Sequence, residues 1–392
     1  GTTLNLGSST IVLSKTLGSE TWYLATTANF NCGTSNIILI NPNTATSGGI
    51  FNGGNQTYYQ VTCKGFPNTL INDNNTFLDT LKLLPGTITK FYRSTTQTFG
   101  PNGTIVSDGG DCKNYCFIQS SVTGVQVNFK KDAGADITIS GAIIQDNNAT
   151  STGGVQFKGD RGSVGTSNMT GQWNITATGK QFIWIGGSGN WSDPNHWSVN
   201  AGGPTGCIPG PLDNAIFNDA SGNGDVTIDL SPVVCKNIDW SNRTIGGLNL
   251  TGVSTKVLYI YGSMIFGSAM SYSFLGTIEF RSGVNGNTVT TAGKLFLNTT
   301  TFDGVGGQWT MQDDFNATDQ YIYLNNGFLN TNGVYVNAYN FTTNGGATFG
   351  GTALTLGAST IELNNSSILG NATWQCYPGV LNCGTSTIIM KS

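Results

Sequence analysis

Charge is scarce in this chain. Of 392 residues, 17 are Lys or Arg and 21 are Asp or Glu, and there is a single His, His196. A nucleic-acid groove needs a concentrated positive field. The densest basic spot is the pair Lys130-Lys131, so no nucleic-acid partner is expected. No apolar run approaches the roughly 20 residues of a membrane helix. The longest are pieces such as Ile37-Ile38-Leu39-Ile40, so no transmembrane segment is expected within this chain. Lys, Arg, Glu and Ala are too few for a helix-rich fold. The lone His also narrows the chemistry. A Ser-His-Asp arrangement would have to use His196, whose neighbours Ser192 and Asp193 share its Gly/Pro-rich stretch without a nucleophile elbow.

In place of charge the chain has 55 Gly, 53 Thr and 43 Asn, together with 20 Phe, 13 Tyr and 8 Trp. The Gly residues follow no third-residue period, which excludes collagen. The aromatics need somewhere to pack, which argues against disorder. Short alternating segments fit β-strands: Thr10–Leu13, Asp136–Ile139, Val226–Leu230, Val257–Tyr261, Thr277–Phe280, Lys294–Leu297 and Tyr321–Leu324. Asn325-Asn326-Gly327 and Asn332-Gly333 read as turns, because Asn and Gly accept positive φ.

The strongest internal signal joins the two ends. GTTLNLGSSTI at 1–11 matches GTALTLGASTI at 351–361, Trp22 matches Trp374, and NCGTSNIILI at 31–40 matches NCGTSTIIMK at 382–391. The chain therefore reads as one unit of about 350 residues plus the start of the next, as in a tandem array. Opening at Gly1 and closing within a strand-like pattern, it reads as a piece of something larger. The fold expected is all-β, with right-handed parallel β-helix or β-solenoid segments in tandem. An array of β-sandwich domains is the alternative. At roughly 22 residues per coil the solenoid would have about 18 coils and a length of roughly 85 Å. The expected segments are 1–180 and 199–350, joined by a Trp-rich junction at 181–198 and followed by the next copy at 351–392.

Eight Cys, an even number in a weakly charged chain, point to disulfides and an oxidising compartment. The pairings expected are Cys112–Cys116, Cys207–Cys235, Cys376–Cys383 and Cys32–Cys63. Oxygen ligands gather at Asp213, Asn214, Asp219, Asn223, Asp225 and Asp229. Ca²⁺ is thus the one cofactor to consider, with Asp213, Asn214, Asp219 and Asp225 as its candidate ligands. Trp22, Trp191, Trp197 and Trp374 are candidates for stacking on a sugar if exposed. Asp313-Asp314 and the Asp132/Asp136 pair are the carboxylates to weigh for acid/base work. As strand neighbours or turn residues they do not read as a facing pair, so no enzyme is expected. Asn-X-Ser/Thr matches occur at Asn55, Asn102, Asn148, Asn174, Asn190 and Asn298, at a frequency this composition yields by chance.

FIWIGGSGNWSDPNHWS at 182–198, GCIPGPLDNAIFND at 206–219 and Cys235-Lys236-Asn237-Ile238-Asp239-Trp240 together resemble a module of very large Bacteroidetes-type surface proteins. LTLGASTIEL at 354–363 and GGIFNGGNQTYYQV at 48–61 are similar to neighbouring repeats of such proteins. The resemblance implies an adhesin or filament segment at the bacterial cell surface, gliding-adhesin-like and exported by the type IX route. The partners it implies are further copies of the repeat and surface polysaccharide. That family usually has two adjacent Asp where this chain has Asp213-Asn214. Asp79-Thr80-Leu81 resembles the acceptor pattern for bacterial O-glycosylation in that phylum, which would place a glycan on Thr80. The function expected is structural and adhesive; a glycan-binding module or a polysaccharide-degrading β-helix enzyme are the alternatives.

Overall fold

The computed structural model describes residues 3–14, 21–40, 49–64, 68–107, 112, 114–160, 164–175, 178–199, 202–343, 351–364, 373–377 and 379–391. Short strands dominate, and consecutive coils stack their strands in parallel and in register. The chain is a β-solenoid of about 14 turns. The coils are longer than 22 residues on average, which accounts for the lower count. One coil advances the register by 20 residues, from Val61 to Leu81, and another by 29, from Thr89 to Ile118. Among the described strands only Gln181–Trp184 and Trp197–Val199 pair antiparallel. Sandwich domains are antiparallel throughout, so that alternative is set aside.

The chain divides into two units, Gly1–Ala177 and Thr178–Ser392, each with its own hydrophobic core. The cause is period-two alternation: in a strand every second side chain points inward. In a parallel in-register stack these side chains form continuous columns. In the first unit one column is Ile11, Ile37, Val61, Leu81 and Ile105. In the second, Ile238, Met264, Val289 and Met311 form another. Each coil is too thin to bury its own apolar face, so its neighbours supply the cover.

The Asn and Thr content follows from the same stacking. Side-chain amides on successive coils hydrogen-bond one above the other. Asn148 donates to Asn128 at 3.0 Å and accepts from Thr170 at 2.9 Å. Asn237 donates to Asn214 at 2.7 Å, and Asn249 donates to both Asp225 at 2.8 Å and Ser273 at 2.9 Å.

Several sequence expectations need correction. Lys294–Leu297 is not a strand; only Leu295 forms an isolated bridge, to Asn316. Leu295 and Leu297 are exposed while Phe296 alone is buried, as at a corner. Asn325-Asn326-Gly327 lies within the strand Phe315–Asn330 and is no turn, whereas Asn332 and Gly333 do form one with positive φ. The Trp-rich stretch at 181–198 opens the second unit and belongs to its core. Residues 351–391 likewise continue that unit's stack, on strands Phe315–Asn330 and Tyr335–Thr343.

Candidate functional site

The densest chemical cluster is the start of the second unit. Trp184, Trp191, Trp197, Phe217 and Trp240 are all fully buried. Trp197 meets Trp191 edge-on at 4.8 Å and Trp184 at 5.0 Å, and Phe217 stacks on Trp240 at 4.2 Å with planes 10° apart. Local structure fixes this arrangement. Asp193 caps the short 3-10 helix Pro194–His196, and that turn returns Trp197 antiparallel to Trp184. The Trp197 indole N–H donates to the Trp191 carbonyl at 2.8 Å, and the Trp184 indole to the Gly187 carbonyl at 2.7 Å.

His196 is a packing residue. Its ring stacks on Trp184 at 4.7 Å, and Nδ1 donates to the Ile185 carbonyl at 2.8 Å. The sequence suggests a place between Trp191 and Trp197; the structure puts it against Trp184 instead. Ser192 hydrogen-bonds Asp229 through both its amide, at 3.0 Å, and its hydroxyl. Asp193 accepts from Asn195. Ser192, Asp193 and His196 thus have separate partners and form no relay.

The calcium candidates do not converge. Asp213 accepts the Lys180 amide at 2.7 Å and the Gly210 amide at 2.8 Å. Burial raises its pKa, and those two amides lower it in part. Asn214 bonds Asn237, and Asp225 bonds Asn249. Asp219 accepts from the Thr244 hydroxyl and from the Thr244 and Ile245 amides at 2.6 to 3.0 Å, which holds its carboxyl below the usual range. No group of three or more His, Cys, Asp or Glu side chains among the described residues is placed to hold a metal. Consecutive residues of a corner serve different coils, so nearness in sequence does not bring their oxygens together.

The same holds for the carboxylates weighed for catalysis. Asp313 accepts the Thr291 and Ala292 amides at 2.7 and 2.6 Å, on the preceding coil. Asp314 accepts the Tyr335 amide at 2.9 Å, on the following coil. Asp132 accepts the Thr152 amide and pairs with Lys130 at 3.1 Å; Asp136 accepts the Gln156 amide and pairs with Lys158 at 2.6 Å. These carboxylates hold backbone amides at corners.

All four cysteine pairings are overturned. Cys32, Cys63, Cys116, Cys235, Cys376 and Cys383 are free thiols, while Cys112 and Cys207 are disulfide-bonded. The reason is register. Cys63 stacks on Leu39 and Leu83, Cys116 on Ala142, Cys235 on Ile260, and Cys376 on Thr343. Burial pushes the Cys63 and Cys116 thiols up to about 12.

Of the sugar-stacking candidates, Trp191 and Trp197 are enclosed, whereas Trp22 and Trp374 are half-buried. Trp22 lies parallel to Phe51 at 6.2 Å and donates to the Tyr58 hydroxyl at 3.1 Å; Trp374 lies 5.2 Å from Phe341. Thr80 is half-buried, its hydroxyl donating to Asp79 at 3.1 Å. Among the chance sequons, Asn298 is buried.

One cluster was not foreseen. Arg281 donates to Glu279 at 2.6 Å and lies 3.8 Å over the Tyr259 ring, with both charged side chains largely buried. Burial alone would lower the Arg281 pKa; Tyr259, Glu279, Tyr261 and Asp303 outweigh it and raise it. The signal available was the spacing of about 20 between Tyr259 and Glu279, which are register partners.

No known family, curated protein or solved structure matches the chain. No helix among the described residues is long and apolar enough to cross a membrane.

Proposed function

We propose that this chain is a structural and adhesive segment of a long surface protein, working by stacked coils rather than by chemistry at a cleft. The observation that carries the reading is the employment of the reactive side chains. Asp132, Asp136, Asp213, Asp219, Asp313 and Asp314 bind backbone amides at corners, and the largest aromatics close the core. Such a chain gains reach and stiffness, and many weak contacts along it multiply into firm attachment. The resemblance at residues 182–240 supports a bacterial cell-surface setting, with export by the type IX route, and further copies of the repeat and surface polysaccharide as partners. In this reading the chain is not an enzyme. Any sugar contact falls to Trp22 and Trp374, beside the exposed Tyr23 and Tyr377, since Trp191 and Trp197 are enclosed.

The test is attachment of beads coated with the full chain to polysaccharide-coated glass under flow. Retention should rise more steeply than coating density and fall when Trp22 and Trp374 are changed to Ala. Release of new reducing ends from the polysaccharide would point to the enzyme reading. Retention no greater than for uncoated beads would overturn adhesion.

A further inference from the structure

Two coils of the first unit are built again at the end of the second. Thr3–Asn5 pairs with Asn29–Asn31, and Thr10–Ser14 with Asn36–Ile40, setting Leu4 on Phe30, Ile11 on Ile37 and Leu13 on Leu39. Thr352–Thr355 pairs with Val380–Asn382, and Thr360–Asn364 with Thr387–Lys391, setting Leu354 on Leu381, Ile361 on Ile388 and Leu363 on Met390. The corners agree bond by bond. The Thr34 amide donates to the Gly7 carbonyl at 2.7 Å, and the Thr385 amide to the Gly357 carbonyl at 2.7 Å. Leu6 donates to Asn31 at 3.0 Å and Leu356 to Asn382 at 2.9 Å. Gly33 and Gly384 have φ of +54° and +55°, and a Cβ on either would lie 2.2 Å from the carbonyl oxygen of Gly7 or Gly357.

What differs is the far side. Asn36–Ile40 is covered by Thr57–Lys64, with Ile37 under Val61 and Leu39 under Cys63. Ile37 is 0% exposed and Leu39 3%. No described strand covers Thr387–Lys391 on that side, and there Ile388 is 40% exposed and Met390 53%. Cys32 is buried under the covering coil; its counterpart Cys383 is exposed.

We infer that the face presented by Val380–Asn382 and Thr387–Lys391 is a coil-docking surface. Its occupant is the coil Gly49–Lys64 of a second copy of this chain, joined in tandem. The new contacts would be Ile388 with Val61, Met390 with Cys63 and Ile389 with Thr62, repeating Ile37, Leu39 and Ile38 in the first unit. Lys391 stands where Ile40 does and would face Lys64, but its charge is already matched by Glu362 at 2.6 Å. This assignment rests on the scaffold reading above and not on what the scaffold adheres to. Extension would then need no adaptor, since the period ends on the face with which it began.

The experiment joins the full chain, after Lys391, to a second copy beginning at residue 41. Cys376→Ser in both copies and Cys383→Ser in the second leave Cys383 of the first as the reporter. Its labelling by a thiol reagent should slow by at least about 100-fold relative to the single chain, to the rate of Cys32, because only local opening would expose it. Unchanged labelling in a tandem with undiminished β-sheet signal per residue would overturn the inference. A second measurement stands should the tandem fold poorly. The full chain with Met390→Cys is mixed with a synthetic Gly49–Lys64 peptide and oxidised glutathione. In-register strands lie about 4.8 Å apart, within disulfide reach, so the variant should be trapped by the peptide's Cys63 and not by a scrambled peptide. Equal trapping by both peptides, or none, overturns the assignment. Bead retention leaves this result untouched, so the two proposals fail separately.

Discussion

Replacing Trp197 by Ala separates the two uses a tryptophan could have here. The side chain is fully buried, meets Trp191, Trp184 and Phe217 at 4.8, 5.0 and 5.8 Å, and supplies the N–H that satisfies the Trp191 carbonyl. Removing a buried Trp side chain costs about 3–5 kcal/mol. A carbonyl left unsatisfied adds about 1–3 kcal/mol. With a urea dependence of about 3 kcal/mol per molar, a loss near 5 kcal/mol moves the unfolding midpoint down by about 1.5 M. Tryptophan fluorescence is the natural probe, because Trp184, Trp191, Trp197, Trp240, Trp309 and Trp374 all lie in the second unit. Trp197→Phe keeps a ring and gives up the donor, so it should lose about 1 kcal/mol for the hydrogen bond beyond its smaller packing loss. A midpoint for Trp197→Ala within 0.2 M (about the resolution of the assay) of the parent would refute the core assignment.

Other outcomes follow from the corners and the thiols. Asp313→Ala strands two amides and should destabilise by about 1–3 kcal/mol, with Asp313→Asn milder, both read from urea midpoints. Gly33→Ala, left-handed and against a carbonyl, should cost at least about 2 kcal/mol, whereas Gly7→Ala, left-handed in open space, should cost about 1; equal losses would show that the close approach is immaterial. The Asp132 carboxyl is held low by the Thr152 amide, Asp136 by Lys158, Asp219 by Thr244 and Glu362 by Lys391. Their stabilisation is present above the ordinary carboxylate pKa near 4 and is lost as pH falls below it, so Tm should decline on that limb. Asp213, raised by burial, acts oppositely: ionising it as pH climbs through and above that range lowers stability, and Asp213→Asn should remove this component of the Tm profile. Cys63 and Cys116 should stay unmodified by thiol reagents until the first unit unfolds, a mass-spectrometric measurement that early labelling would contradict.

The strand pattern was legible because alternation is local: Thr277–Phe280 carries it in four residues and forms a strand with those bounds. The duplication of 1–40 at 351–391 was legible because identity of sequence dictated identity of register. What a residue touches across coils was not. Its neighbour lies one coil away, and that distance runs from 20 residues at Val61 to 29 at Thr89. The Cys pairings, drawn from nearness along the chain, failed on this point, since Cys116 and Cys376 are set beside Ala142 and Thr343. The Asp-rich stretch from 213 failed likewise: Asp213 reaches back to Lys180 while Asp219 reaches forward to Thr244. Arg281 and Tyr259 meet only because Glu279 is the register partner of Tyr259.

Unequal coil length has a further consequence. Between Phe91 and Ser120, partners in one column, the chain makes room for two additional short strands, Thr96–Phe99 and Thr104–Ser107. The columns on either side stay in step. Sequence can therefore be inserted at a corner without disturbing the inward rows, much as balconies can differ from floor to floor while the lift shaft stays plumb. Variation among relatives should concentrate at such corners and spare the rows, leaving the molecule free to change what it displays while keeping what holds it up.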